Sequence, residues 1–139
     1  MLDDILINKI ATIKKCDKTL YSNQFIKVEI EESQVPWLKI FSQQAAKEFS
    51  HCNTKTKQQI WQALDIIETE MLNFFNCDKI NIASFGNYLP QVHFHIMARF
   101  KQDNFFPEPM WGKQQRDNRL TLADFDIFYQ NLLPQLKQI

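Results

Sequence analysis

Residues 55–76 repeat apolar side chains at steps of four and three: Ile60, Leu64, Ile67, Met71, and then Phe74 or Phe75. Gln58, Gln62, Asp65, Thr69 and Asn73 make up the opposite face. This period predicts a long amphipathic helix, because 3.6 residues per turn gather those positions into one stripe. A stripe of that length must be covered, and the segments around it supply the cover. Residues 79–83 (KINIA) read as a short apolar strand, and 91–100 (QVHFHIMARF) alternate. Val92, Phe94, Ile96, Ala98 and Phe100 point one way, toward the helix. Gln91, His93, His95, Met97 and Arg99 point the other way.

The rest of the chain adds elements of the same two kinds. Residues 2–13 carry Leu2, Ile5, Leu6, Ile10 and Ile13 at helical spacing. Residues 19–30 read as a strand, and 34–41 as a turn and a second strand, with Pro36 near its start where its missing N–H matters least. A short helix is expected around 42–50. Residues 101–120 are irregular, with Pro107, Pro109 and Gly112. Thr121 is placed to cap a last helix with Leu122, Phe125, Phe128 and Leu132 as its stripe, ending at Pro134. The predicted order is helix, two strands, long helix, two strands, helix: an α+β fold with a mainly antiparallel sheet and the long helix on one face.

A length of 139 residues with 45% hydrophobic side chains predicts a single domain over 1–139 with a substantial core. Sixteen basic residues balance sixteen acidic ones, which argues against a broad nucleic-acid or membrane footprint. No run reaches the roughly 18 apolar residues of a membrane span. The opening MLDDILINKI has two Asp where a signal peptide carries positive charge, so a cytoplasmic location is expected. Cys16, Cys52 and Cys77 are widely spaced, with no CxxC, and read as free thiols.

His93 and His95 stand on one strand face, about 7 Å apart at their α-carbons. They follow a loop, 86–90, that holds one of only two glycines. Two histidines on a polar face are ordinarily solvated; here their neighbours give them more meaning. Gln91, Val92, His93, Phe94, His95, Ile96 and Met97 resemble the His-φ-His-φ-His-φ-φ strand of the histidine triad (HIT) family, φ being apolar, with Gln in place of the first His. Upstream, Asn81 and Gly86–Asn87 resemble the Asn…Gly-polar segment before that motif. Downstream, Pro107, Pro109, Trp111 and Gly112 resemble the Pro-x-Pro-x-Trp-Gly ending of a small bacterial branch, related to diadenosine tetraphosphate hydrolases, which also carries Gln before His-φ-His. Val35, Pro36, Trp37 and Leu38 resemble that branch's Tyr-Pro-Trp-φ stretch.

The resemblance implies a HIT-like fold and a nucleotide hydrolase or transferase. Such an enzyme cleaves phosphoanhydride or phosphoramidate bonds at the α-phosphate of an adenosine nucleotide, for example a dinucleoside polyphosphate. His93 falls at the nucleophile position and would carry the nucleotidyl group. His95 would donate to a non-bridging oxygen as charge builds there. Backbone N–H groups of Gly86, Asn87 and Tyr88 can add donors, and Asn81 matches a ribose contact; Trp111 is read as packing against a base, as crossing a dimer interface or as the anchor of an irregular loop. Gln91 can hold a hydrogen bond but cannot transfer a proton at neutral pH, so leaving-group protonation is the step the departure touches. Ser42 and Gln43 replace a Pro-Arg pair of many relatives, which removes a positive charge. The resemblance implies no metal or cofactor, and it implies a homodimer built on long helices and sheet edges; Trp61 and Ile66, outside the main stripe, fit such a partner surface.

Two other readings compete. One is a nucleotide-binding module that has lost turnover at Gln91. The other is a metal-binding protein in which His51 and Cys52 join His93 and His95, since His-x-His is also a ligand spacing. Arg99 and Lys101 are read either as contacts to distal phosphates or as a solvated strand end.

Overall fold

The computed structural model describes residues 18–139. The helix expected over 2–13, and Cys16, lie outside the described residues. Five strands follow: β1 (Thr19–Ser22), β2 (Ile26–Ile30), β3 (Trp37–Ser42), β4 (Lys79–Ala83) and β5 (His93–Arg99). Two helices complete the described chain, α1 (Thr54–Phe75) and α2 (Phe125–Leu136). The strands form one sheet in the order β1-β2-β3-β5-β4, and every neighbouring pair is antiparallel. The α+β class with an antiparallel sheet is therefore the observed one.

Where the expected strand 19–30 should run on, the chain turns back as a hairpin. The Asn23 carboxamide oxygen accepts the amides of Phe25 at 2.8 Å and Ile26 at 2.9 Å, closing a tight turn. An Asn side chain offers the backbone this alternative to a continuous ladder. The short helix expected around 42–50 is reduced to one 3₁₀ turn at Phe49–His51. The backbone before it serves the sheet instead: Ser42 donates to the Val92 carbonyl at 3.0 Å, and Val92 to the Ala46 carbonyl at 2.9 Å.

Asn53 caps α1 by accepting the Thr56 amide at 2.8 Å. The helix ends on Asn76 in the left-handed conformation (φ 49°), which Asn tolerates better than most residues. The last helix starts later and ends later than expected. Asp124, not Thr121, is its cap, accepting the Asp126 amide at 2.8 Å. It also runs past Pro134 to Leu136. Pro134 faces solvent, so the carbonyl it leaves unbonded can reach water, while fully buried Leu136 anchors the last turn.

The core lies between one sheet face and the two helices. Ile26, Val28, Leu38, Ile40, Ile96 and Ala98 meet Ile60, Leu64, Ile67 and Met71 of α1 and Phe128, Leu132 and Leu136 of α2. Those of α1, Ile96 and Ala98 of β5, and Phe128 and Leu132 are the residues whose period of 3.6 or of two marked them in the sequence; Leu136 lies beyond the end expected for the last helix. The opposite sheet face carries His93 and His95 and, toward one end, is covered by the irregular segment after β5. Met97 and Arg99 are buried there. Among the described residues no helix is long and apolar enough to cross a membrane.

Candidate active site

The two histidines enter the same face of β5 beside β3. In the ladder Phe41 pairs with His93 and Lys39 with His95. The imidazoles stand 5.1 Å apart between centroids. His93 lies flat against Phe41, at 5.0 Å and 17°.

Each ring is held by a partner that fixes where its proton sits. His93 Nδ1 is 2.7 Å from the Gln91 carbonyl oxygen. A carbonyl only accepts, so Nδ1 carries the hydrogen and Nε2 keeps its lone pair. His95 Nδ1 is 3.0 Å from Trp37 Nε1. An indole N–H only donates, so here Nδ1 holds the lone pair and Nε2 carries the hydrogen. The two imidazoles therefore take opposite tautomers: one offers a nucleophilic nitrogen, the other an N–H donor. Burial, followed by the nearby His93 and Lys39, pushes the His95 pKa down to about 4, with Glu31 acting weakly the other way. His95 is thus neutral at neutral pH.

A cavity of about 400 Å³ opens over the pair, lined by Phe85, Gly86, Asn87, Tyr88, Leu89 and Trp111 as well as both histidines. Six of the residues singled out in the sequence come together there: His93, His95, Gly86, Asn87, Tyr88 and Trp111. Gly86 has φ +87°, a conformation strained for any side-chain-bearing residue, so glycine makes this turn. Ser84 Oγ donates to the His93 carbonyl at 2.7 Å and ties the start of the loop to β5.

Two other predicted residues stand differently. Asn81 lines an adjoining cavity of about 580 Å³ with Met97 and Gly112, separated from the first by Phe85 and Trp111. Its carboxamide oxygen accepts Arg99 Nη1 at 2.7 Å. Gln91 turns its amide away, donating from Nε2 to the Ser42 carbonyl at 2.7 Å. What Gln91 presents to His93 is its backbone oxygen.

Arg99 is neither a phosphate contact nor a solvated strand end. It is 1% exposed, and it forks onto Asp103 through Nε at 2.8 Å and Nη2 at 3.1 Å. A third donation, from Nη2, reaches the Glu108 carbonyl at 2.7 Å. Lys101 is exposed. The site has cations after all, from positions the sequence reading passed over. Lys27 and Lys39 place their ammonium groups 5.4 Å and 5.6 Å from the Phe41 ring centroid, each also paired with a glutamate. Trp37, Lys39 and Phe41 alternate along β3 exactly as site residues must, yet only the β3–β5 register shows that their face is the histidine face. Cys52 is buried in the core on the helix side of the sheet. Among the described residues no group of three or more His, Cys, Asp or Glu is placed to hold a metal ion.

An antiparallel five-stranded sheet with a long helix beneath is an arrangement this chain shares with solved histidine triad proteins. The chain belongs to the HIT domain family, whose profile matches residues 12–102. That family binds nucleotides and includes nucleotide hydrolases and transferases. Among solved structures, the chain is similar to a histidine triad protein from Bradyrhizobium japonicum, at 26% identity over 90% of this chain and 92% of that one, with a TM-score of 0.66. A histidine triad protein from Marinobacter aquaeolei VT8 shares the fold at 24% identity, covering 88% of this chain and 92% of that one, with a TM-score of 0.69. A third, from Sinorhizobium meliloti 1021, does so at 18% identity over 92% and 93% of the two chains, with a TM-score of 0.65. No curated protein matches the chain.

Proposed function

We propose that this chain is a nucleotide hydrolase or transferase that cleaves an adenosine nucleotide at its α-phosphate through a nucleotidyl-His93 intermediate, with dinucleoside polyphosphates as the leading substrate class. The observation that carries this reading is the bond from His93 Nδ1 to the Gln91 carbonyl, which leaves Nε2 free as nucleophile. In the first step Nε2 forms a bond to the α-phosphorus and the bond to the leaving group breaks. The imidazole becomes cationic, and its Nδ1–H bond to the carbonyl strengthens as it does so. His95 Nε2–H, with the amides of the Gly86–Tyr88 loop, faces the charge that builds on the non-bridging oxygens. Water attacks phosphorus in the second step and returns the Nε2 lone pair.

In this reading Asn87 sits near the phosphates, and Trp111 and Tyr88 form an aromatic wall for a base or leaving group. Asn81 contacts the ribose from the adjoining cavity through its amide nitrogen, since its oxygen is held by Arg99. In this reading the protein belongs to the small bacterial branch labelled diadenosine tetraphosphate hydrolase-like and is a cytoplasmic, single-domain homodimer. A second reading, a nucleotide-binding module with little turnover, is favoured by one observation: the Gln91 amide is held by Ser42 and offers the leaving group no proton.

The test is a panel of dinucleoside polyphosphates and adenosine phosphoramidates, with mass spectrometry of acid-labile nucleotide on the protein. A nucleotidyl adduct should map to His93, and His93→Ala should abolish it while nucleotide affinity stays within a few-fold. Replacing His95 should weaken both binding and turnover. If no adduct is trapped and both variants lose affinity equally, His93 is not the nucleophile. If nucleotide binds with no turnover of any substrate, the binding-module reading holds.

A further inference from the structure

We propose that Trp37 is a positioning residue: its indole N–H holds the His95 imidazole in the neutral form that carries its hydrogen on Nε2. The catalytic consequence rests on the function proposed above; the lock itself does not. Trp37 opens β3 opposite Met97, two positions along the ladder from the Lys39–His95 pair and on the same face. Its side chain leans along the strand to His95, with ring centroids at 5.7 Å and 66°, so that Nε1 meets Nδ1 edge-on at 3.0 Å. The Trp37 carbonyl accepts the Glu31 amide at 3.0 Å, which fixes the backbone beneath the ring. Trp111 closes the other side, at 5.2 Å from Trp37 and 4.8 Å from His95.

An imidazole has three protonation forms, and this contact admits one. Indole can donate and cannot accept, so a hydrogen on Nδ1 would face the indole hydrogen across the gap. That excludes both the Nδ1–H tautomer and the cation. The groups around His95 act in the same direction. His93 lies along its own strand and Lys39 faces it from β3. Glu31, the one acid that favours the cation, is itself paired with Lys39 at 2.9 Å. On β4 the opposite residue is Ala83, and the loops contribute Phe85 and Trp111, all uncharged. The neutral imidazole with its hydrogen on Nε2 thereby persists from the neutral range down to the depressed pKa of His95, about 4.

A Trp that merely packed would tolerate Phe without consequence for the imidazole, and the experiment separates these cases. ¹⁵N NMR of the native protein should show a scalar coupling between Trp37 Nε1 and His95 Nδ1, which needs no variant and no substrate. In Trp37→Phe, where burial, His93 and Lys39 remain, His95 should take up its proton at a higher pH than in the native protein. With nucleotide substrate, Trp37→Phe should lower kcat about tenfold, the loss of one hydrogen bond, with a smaller change in KM. Absence of the coupling, or equal His95 titration in native and Trp37→Phe proteins, overturns the proposal. A coupling and titration as expected in a protein without turnover leaves the lock standing and removes the catalytic reading.

Discussion

Single atoms decide the chemistry at this site, and Gln91 is the residue through which they can be tested. Its carbonyl orients His93, while its amide is bonded to Ser42. Neither group can supply a proton. General-acid assistance contributes about 10²–10⁴-fold where a leaving group needs it. Gln91→His should therefore speed an alkylamine phosphoramidate more than a substrate that departs as a low-pKa phosphate. The measurement is the ratio of the two rates, native against variant; an unchanged ratio would confine Gln91 to a structural and binding role. His95 supports a second prediction at this scale. Its folded pKa of about 4 lies below the ordinary imidazole value, so the unfolded chain binds the proton that the folded one refuses. The resulting stability is complete above the unfolded pKa, near 6.5, and falls as pH drops toward the folded value. Urea midpoints between pH 7 and 4.5 should fall more steeply for the native protein than for His95→Gln. Equal slopes would mean that His95 takes up its proton in the folded state.

At the level of elements, the irregular segment after β5 is ordered by one buried carboxylate. Asp103 accepts Arg99 and the amides of Phe100 at 3.1 Å, Phe105 at 3.0 Å and Phe106 at 2.8 Å. Burial opposes its ionisation, but Arg99 and the three amides together outweigh burial and hold the carboxyl below its ordinary pKa. Arg99 in turn reaches Asn81 on β4 and the Glu108 carbonyl, which joins this loop to the sheet. Asp103→Asn leaves a buried guanidinium without its counter-charge, a change that typically costs about 3–5 kcal/mol. A Tm lowered accordingly is expected, with faster amide exchange across 103–112 than in α1. The aromatic wall at Trp111 would loosen with it. A variant within 1 °C of the native Tm would show that the amide bonds alone order the loop.

Across the whole molecule, apolar surface is left over on α1 and on β4, besides Ile127 on α2 and the loops around the cavity. Trp61 and Leu72, three helical turns apart, are 57% and 42% exposed on one side of α1, and Ile82 is 45% exposed on β4, the open edge of the sheet. A homodimer that covers both is expected. Ile66, the other residue outside the main stripe, instead packs against the core of its own chain. Light scattering at micromolar concentration should give twice the chain mass, and Trp61→Glu should shift the equilibrium toward monomer. A native monomer under those conditions would remove the dimer from the proposal.

By itself the sequence determined the elements whose side chains repeat with a clean period. The extent of α1 within a residue, the KINIA strand and the two faces of β5 all follow from spacing, because burial on one side imposes that spacing. The fold family and the pair His93 and His95 were legible for a related reason: a strand displays alternate residues, so a reactive pair is written as His-x-His. Features set by a single local hydrogen bond escaped this reading. The Asn23 turn, the Asp124 cap and the continuation past Pro134 leave no periodic trace. Pairing across strands escaped it too. Only the register of β3 against β5 brings Trp37 to His95 and Phe41 to His93, and only the fold buries Arg99 against Asp103. The two β3–β5 contacts join residues far apart in the chain, and a one-residue slip of the ladder would exchange both for others; Arg99 and Asp103 are only four residues apart, but the loop that buries them is shaped by the fold. The sequence could name the histidines; which nitrogen carries the proton is decided for His93 by a backbone carbonyl two residues upstream and for His95 by an indole that tertiary structure sets beside it.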